Sequence, residues 1–364
     1  MYNKKVMNTD NKIYGVILAG GKGERFWPKS KQTNPKQLLN IISNKSMLEE
    51  TVDRLSSIID KERILVIGTS LLDYSIKKLN VVKDENLLSE PFGKNTALAI
   101  GYAAIKIRKI DSQAVILVCP ADHSIHTNKD FLATIETGYE FALQGNLVTF
   151  GVTPVRPDEG YGYIELGDQL IENKVYKIKS FKEKPNIKTA RAYLKKGNTL
   201  WNSGIFLWRV TDILAAIEKY LPEMYRGLLE FEKSIGLDNE KDALLKLYTE
   251  SQSISVDFGI MEQAENIVIC RAQFSWDDVG DWNALERIKS KDKNGNIFDG
   301  SIAEVNSKNN IVSCEDGLVC LIGVEDMIIV RTKNETFICK KSETGEIKNL
   351  LKILEKNEKF KNHL

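Results

Sequence analysis

Three glycines, an arginine and a lysine gather where an apolar run near the start of the chain ends. The string is Val16-Ile17-Leu18-Ala19-Gly20-Gly21-Lys22-Gly23-Glu24-Arg25-Phe26-Trp27-Pro28, running on to Pro35-Lys36-Gln37. Glycines let a backbone turn sharply and bring bare N–H groups against a ligand. Arg25 and Lys36 add positive charge beside those N–H groups, a combination suited to a polyphosphate. Lys22 is expected to be solvated. Two common phosphate loops do not fit. No Lys-Ser or Lys-Thr follows a glycine at P-loop spacing, and Gly-Gly-Lys-Gly is not the Gly-x-Gly-x-x-Gly dinucleotide fingerprint.

The elements that must hold such a loop are legible as alternating runs. Val16-Ile17-Leu18 has the composition of a buried strand, as do residues 64–67, 114–118 and 147–152. Residues 46–59 carry Leu48, Val52, Leu55 and Ile59 at helical spacing. Further helices are expected over 70–79, from Asn95 or Thr96 to about 108, and over 129–144, with a weak strand at Leu87-Leu88. Buried strands alternating with helices predict an α/β fold: a Rossmann-like, mixed, mostly parallel sheet flanked by helices. After Gly160 the pattern gives strands at 175–181 and 200–208, the latter broken by Asn202-Ser203-Gly204. Helices follow over 187–196, 212–220 and 242–248, and a strand over 267–272. Beyond about Lys289, short apolar runs at 302–305, 311–313, 318–322, 327–331 and 336–339 read as a small all-β unit, closed by a helix over 348–354. The domain reading is therefore 1–289 for the α/β part and 290–364 for the β part.

Composition narrows the function classes. The chain has 364 residues and a formal net charge of +1, which predicts neither a nucleic-acid stripe nor a membrane-binding face. No apolar run approaches bilayer length, and polar Met1 to Lys12 is read as a lead-in to the first strand rather than a secretory signal. The five cysteines include no Cys-x-x-Cys pair and are expected to be reduced, mostly buried thiols of a cytoplasmic protein. The three histidines are too scattered for a zinc site. No Ser/His/Asp or Cys/His arrangement stands out.

The full string Leu-Ala-Gly-Gly-x-Gly-x-Arg-Phe-Trp-Pro followed by Pro-Lys-Gln resembles the signature of the sugar-phosphate nucleotidylyltransferases, and its Phe-Trp-Pro and Pro-Lys-Gln details resemble their mannose-1-phosphate guanylyltransferase branch. Five later stretches resemble that family in order: Ser89-Glu90-Pro91 with Asn95-Thr96-Ala97, Pro120-Ala121-Asp122, Phe181-Lys182-Glu183-Lys184-Pro185, Ser255-Val256-Asp257-Phe258-Gly259, and Trp276-Asp277-Asp278-Val279-Gly280. The resemblance spans about residues 13 to 285. Cys119, in place of a usual aliphatic, and a basic segment at Lys29 and Lys31 depart from the pattern.

This resemblance implies a nucleotide-diphospho-sugar transferase fold whose β tail is a short left-handed β-helix that helps form a homodimer. It implies transfer of GMP from GTP to mannose 1-phosphate, giving GDP-mannose and pyrophosphate, with Mg2+. Such a reaction needs a triphosphate clamp, a metal and a sugar-phosphate pocket, and no protein nucleophile. Leu18, Ala19, Gly20, Gly21 and Gly23 then belong to the nucleotide site, with Arg25 and Lys36 on the phosphates. Asp122 and Asp278 are the implied metal ligands, with Asp277 and Asp257 as rivals. Magnesium accepts one or two carboxylates plus phosphate and water oxygens, although a strand-end aspartate is also an ordinary helix cap. Gly162, Glu183, Lys184, Asn202 and Asp257 are assigned to the sugar phosphate. The glutamate accepts from hydroxyls, the lysine pairs with phosphate, and Gly162 permits close approach. Glu90, Asn95 and Thr96 are assigned to the base, with Asn95 equally suited to cap a helix. Trp201, Phe206 and Trp208 read as core. Open alternatives are a sister enzyme using another sugar 1-phosphate or nucleoside triphosphate, or a non-catalytic sugar-nucleotide sensor. The chain stops before any cupin-type isomerase domain, so no isomerase activity is expected.

Overall fold

A computed structural model describes residues 13–21, 23–126 and 128–364. The lead-in read over Met1 to Lys12 and the solvated Lys22 lie outside the described residues. Compactness divides the chain into two units that interleave in sequence. One comprises residues 1–20, 51–121 and 125–276, and the other 21–50, 122–124 and 277–364.

The first unit is built on one sheet. In chain order the strands are β1 (Ile13–Leu18), β2 (Ile64–Thr69), β3 (Leu87–Glu90), β4 (Val115–Pro120), the two-residue β5 (Ser124–Ile125), β6 (Leu147–Val152), β7 (Tyr163–Ile171), β8 (Val175–Lys182), β9 (Thr199–Arg209) and β10 (Ile267–Arg271). All but β5 form a nine-stranded sheet in the order β3-β2-β1-β4-β9-β6-β10-β8-β7. β1 to β4 are mutually parallel, β10 is parallel to β6, and β9 and β8 run against their neighbours. The sheet is thus mixed but mostly parallel.

Helices cover both faces, as the alternation of β1 requires. Val16 belongs to the core cluster that holds helix α3 (Thr96–Ile110). Its neighbour Gly15 points the other way, where an added Cβ would lie 3.1 Å from Leu55 of helix α1 (Met47–Ser56). α3 packs closely because its buried face is rich in alanine, including Ala97, Ala99, Ala103 and Ala104. Asn95 begins it, at φ +69°, with its side chain accepting from the Thr96 N–H. Helices α2 (Asp73–Leu79), α4 (Asn128–Leu143), α5 (Ile187–Lys196), α6 (Val210–Tyr220), α7 (Pro222–Ser234) and α8 (Glu240–Glu250) complete the unit.

Two expectations need correction. β9 is one continuous strand rather than two: Gly204, at φ +70°, is absorbed because pairing to β4 and β6 continues on both sides, with a register shift against β6. α7 was not foreseen. Its charged sequence hides an apolar face at Met224, Leu228 and Phe231, and Pro222 occupies the start, where a missing N–H costs nothing.

The second unit has its own core. Phe26, Trp27, Met47, Val279, Trp282 and Leu285 pack with Ile297, Ile311, Ile328, Val330, Phe337 and Ile347. Its strands β12 (Ile297–Val305), β13 (Ile311–Ile322) and β14 (Met327–Arg331) are parallel neighbours, and β15 (Thr336–Lys340) pairs antiparallel to β14. A two-residue β11 (Trp276–Asp277) and the short helix α9 (Leu285–Ile288) precede them, and α10 (Ile347–Lys356) closes the chain. The runs read separately at 311–313 and 318–322 are one strand, which bends at Gly317, φ +80°. Successive parallel strands joined by short turns are what a β-helix requires. The five cysteines are free, and three are buried.

Candidate active site

The second unit holds a cavity of about 240 Å³ bordered by Gly23, Arg25, Lys36, Asp122, Asp278 and Gly280, among others. Three separated motifs therefore meet here. The loop opens into a single 3₁₀ turn, Glu24–Phe26, rather than a long helix, so side chains and not a helix dipole supply its positive charge. Of Gly20, Gly21 and Gly23, only Gly23 takes a positive φ, +61°. A Cβ there would sit 2.4 Å from the Lys36 Cβ and 2.6 Å from its N. Gly23 is what lets Lys36 enter the site. Gly23→Ala is expected to cost about 2–4 kcal/mol of stability from overpacking and left-handed strain, and to reduce activity by displacing Lys36. Thermal unfolding and a turnover assay check both.

Lys36 is buried, with its Nζ donating to Asp122 Oδ2 at 2.8 Å and to the Asp278 carbonyl at 2.6 Å. Burial pushes the Asp122 carboxyl up, but the Lys36 ammonium and His123 outweigh it and hold the group below its usual value. Arg25 is exposed at the cavity. A Cβ on Gly280 would fall 3.1 Å from Asp278 Oδ2 and 3.5 Å from Arg25 Nη1, so this glycine keeps room between guanidinium and carboxylate.

Asp277 and Asp278 differ in their surroundings. Both Asp277 oxygens are spent on Arg287, and Oδ1 also accepts from the Val279 N–H at 2.8 Å. Val279 is a fully buried β-branched residue at φ +49°, a strained conformation. Asp277, Arg287 and the Val279 pocket together hold the backbone that presents Asp278 to the cavity. Two carboxylates beside Arg25 and Lys36 suit a hard divalent cation that takes its remaining ligands from phosphate and water. Among the described residues no group of three or more metal-ligating side chains occurs, so an all-protein cage is not formed.

In the first unit the five residues assigned to the sugar phosphate come together. β-Pairing does this: Tyr163 lies opposite Lys182 and Trp201, which brings Gly162, Glu183 and Asn202 to one edge. A Cβ on Gly162 would be 2.4 Å from Glu183 Oε2, and the Asn202 N–H donates to the Gly162 carbonyl at 2.8 Å. Glu183 is buried. Its Oε1 accepts from Lys184 Nζ at 2.5 Å, while Oε2 has no hydrogen-bond partner among the described residues. A buried carboxylate oxygen without a donor is costly unless a ligand supplies one. Lys184 holds its place at φ +44°, and its side chain is largely exposed.

Asn202 donates to Asp257 Oδ1 at 2.8 Å and accepts from Thr149 Oγ1 at 3.0 Å and the Gly204 N–H at 3.3 Å. Its side-chain oxygen therefore faces two protein donors. Burial, and then the Glu183 charge, push the Asp257 carboxyl up to about 6.

Glu90 ends β3, buried, with Tyr248 Oη donating to Oε1 at 3.0 Å. Its Oε2 lies 3.2 Å from where a Gly20 Cβ would be. Leu18 and Ala19 are held in place by backbone bonds: the Leu18 carbonyl accepts from Ala121 N and the Ala19 N–H donates to Ile67 O. Thr96 Oγ1 accepts from the Val256 N–H at 2.9 Å, so Asn95 and Thr96 both make structural contacts at the start of α3. Sequence reasoning missed Tyr248, Thr149 and Glu262, whose Oε1 accepts from the Glu183 N–H at 2.9 Å.

Burial pushes the Glu90 carboxyl from 4.5 up to about 7, against the lowering effect of Tyr248. Between those values the folded chain holds a proton that the unfolded chain has released. Stability attributable to this group therefore falls as pH rises through the window, by about 3 kcal/mol once above pH 7. Glu90→Gln keeps an acceptor for Tyr248 and cannot ionise. It is expected to match the parent at pH 4 and exceed it at pH 8 in denaturant titrations.

Residues 14–295 match the nucleotidyl transferase family, and residues 300–354 match the MannoseP isomerase/GMP-like beta-helix domain. A mannose-1-phosphate guanylyltransferase from Escherichia coli is 34% identical over 349 residues, 93% of this chain and 75% of that protein. One from Klebsiella pneumoniae is 34% identical over 358 residues, covering 96% and 75%. The crystal structure of a protein described as mannose-1-phosphate geranyltransferase from Thermus thermophilus superimposes with a TM-score of 0.86 at 31% identity, covering 94% of this chain and 99% of that one. A crystal structure described as mannose-6-phosphate isomerase from Helicobacter pylori covers 73% of this chain and 99% of its own, with a TM-score of 0.58 at 26% identity. The chain belongs to the nucleotidyl transferase family of sugar-phosphate enzymes, with mannose-1-phosphate guanylyltransferases among its relatives.

Proposed function

We propose that this chain transfers GMP from GTP to mannose 1-phosphate, giving GDP-mannose and pyrophosphate. The observation that carries the reading is the cavity of the second unit, where Arg25, Lys36, Asp122 and Asp278 converge from three separated motifs. The names of the relatives supply the choice of mannose and guanine.

A phosphate oxygen of the sugar phosphate attacks the α-phosphorus in line, and pyrophosphate leaves. Arg25 and Lys36, with the backbone of the glycine loop, neutralise and orient the phosphates. Lys184 holds the phosphate of the sugar and Glu183 accepts from a sugar hydroxyl. Asp257 and Asn202 fix the pocket, and Glu90 accepts from the guanine N1–H and N2–H donors, which favours its ionised form. Nucleotidyl transferases generally use a divalent metal. Here Asp122 and Asp278 would hold magnesium, which supplies charge neutralisation at the phosphates when bound. Residues 1–289 form the catalytic part of the chain and 290–364 the β part. Exposed Val305, Leu318, Ile322 and Ile338 support a homodimer formed through the β part. Free cysteines support a cytoplasmic setting. No helix among the described residues is long and apolar enough to cross a membrane.

A matrix of nucleoside triphosphates against sugar 1-phosphates, assayed for pyrophosphate release with magnesium, tests the reading. GTP with mannose 1-phosphate is expected to exceed other pairs in kcat/KM by about 10²-fold or more. A different preferred pair, such as a glucose or heptose phosphate with another triphosphate, overturns the assignment of substrate. No release with any pair overturns the assignment of reaction.

A further inference from the structure

We propose that Lys348, on the closing helix α10, is a third phosphate-binding cation of the nucleotidyl-transfer site and takes the β- and γ-phosphates that leave as pyrophosphate. This rests on the proposed reaction but not on which base or sugar is used. Lys348 borders the same cavity as Arg25, Lys36, Asp122 and Asp278, although it lies more than 300 residues from the glycine loop.

Three observations carry the inference. The first is charge. Apart from Lys348, the cavity is bordered by Arg25, Lys36 and the titratable His123, and by three carboxylates, Glu24, Asp122 and Asp278. Lys36 already spends its ammonium on Asp122 and the Asp278 carbonyl. A triphosphate carries about four negative charges, more than one divalent cation cancels, and Lys348 adds a further positive charge to this lining.

The second is placement. Lys348 is the second residue of α10, which continues directly from a 3₁₀ segment over Lys341–Glu346, and it borders the cavity while its neighbour Ile347 is buried.

The third is anchoring. The neighbouring Ile347 is buried in the core with Phe26 and Trp27, directly behind the Glu24–Phe26 turn. The turn before α10 is tied to the segment following Asp278: Asn283 Nδ2 donates to the Lys341 carbonyl and Thr344 Oγ1, each at 3.0 Å, and Thr344 Oγ1 donates to Asp281 Oδ2 at 3.2 Å. The backbone carrying Lys348 is therefore fixed relative to Arg25 and Asp278. The closing helix of the β part is, on this view, a working part of the phosphate site.

The test uses the full chain with Lys348→Ala and Lys348→Arg, and inorganic pyrophosphate as the probe. Lys348→Ala is expected to weaken pyrophosphate binding, by calorimetry with magnesium, about 10- to 100-fold, as loss of a charge-assisted contact should. Its KM for the triphosphate should rise by a similar factor. GMP binding, the KM for the sugar phosphate and the unfolding midpoint should stay at parent values, and Lys348→Arg should recover most of the loss. Unchanged pyrophosphate binding in Lys348→Ala overturns the proposal, and so does an equal weakening of GMP and pyrophosphate. Because pyrophosphate carries neither base nor sugar, the result stands whichever pair the substrate matrix selects.

Discussion

Asp122→Asn is expected to lower kcat about 10³-fold while leaving GTP affinity within a few-fold of the parent. The argument starts from what the substitution preserves. Asparagine has the size of aspartate and keeps an oxygen that accepts from Lys36 Nζ, now 2.8 Å from Asp122 Oδ2. The Lys36 ammonium also keeps its bond to the Asp278 carbonyl, so the buried cation is not left without acceptors. What goes is one full negative charge in a cavity that also contains Asp278. That charge is needed where a divalent cation is to be held against phosphate oxygens, because a neutral amide is a much poorer ligand. Binding and turnover should therefore separate. The phosphates are still met by Arg25 and by a Lys36 no longer neutralised by Asp122, which compensates for part of what GTP loses. Pyrophosphate release under saturating substrates gives kcat, and calorimetry gives GTP affinity. Near-parent turnover would sink the ligand role of Asp122. A GTP affinity that collapses together with turnover would show Asp122 to be part of the nucleotide clamp instead.

The difference between what was legible in the sequence and what was not follows from the range of the interactions. Val16-Ile17-Leu18 read as a buried strand because burial on both faces leaves a continuous apolar run. Glu90 and Asp122 were picked out because they stand at or just past strand ends, where parallel sheets put ligands. Pairing choices were not findable. Asp277 and Asp278 are chemically identical neighbours, and only Arg287, which spends both oxygens of the first, separates them. Tyr248 reaches Glu90 across 158 residues of chain, and nothing local marks it. The broken strand read at Asn202-Ser203-Gly204 was a local inference overruled by pairing on both sides. Lys348 carried no motif at all, and long-range packing of Ile347 together with the Asn283 and Thr344 hydrogen bonds brings it to the cavity.

Glu183→Gln is expected to raise the KM for mannose 1-phosphate about 10- to 100-fold with the KM for GTP near its parent value, the worth of a hydrogen bond to a charged acceptor. Glu183 Oε2 is buried without a donor and faces Gly162, where the absence of a side chain leaves room for a hydroxyl. An amide in its place either turns N–H groups toward that hydroxyl or turns them toward the Lys184 ammonium, which lies 2.5 Å from Oε1. Either orientation loses an interaction that the carboxylate made. A second consequence follows from electrostatics. After burial, the Glu183 charge is the larger cause that pushes Asp257 up to about 6, and Lys184 opposes it. Asp257 accepts from Asn202 as a carboxylate, so parent activity at low sugar phosphate should decline as pH falls through about 6. Glu183→Gln removes the raising charge and leaves Lys184 unneutralised, so the acid limb should move to lower pH. A pH series of kcat/KM for the sugar phosphate reads both effects. A raised KM with an unmoved acid limb would place Glu183 on the sugar but uncouple it from Asp257. An unchanged KM would remove Glu183 from the sugar site and leave its buried oxygen without a substrate to satisfy it.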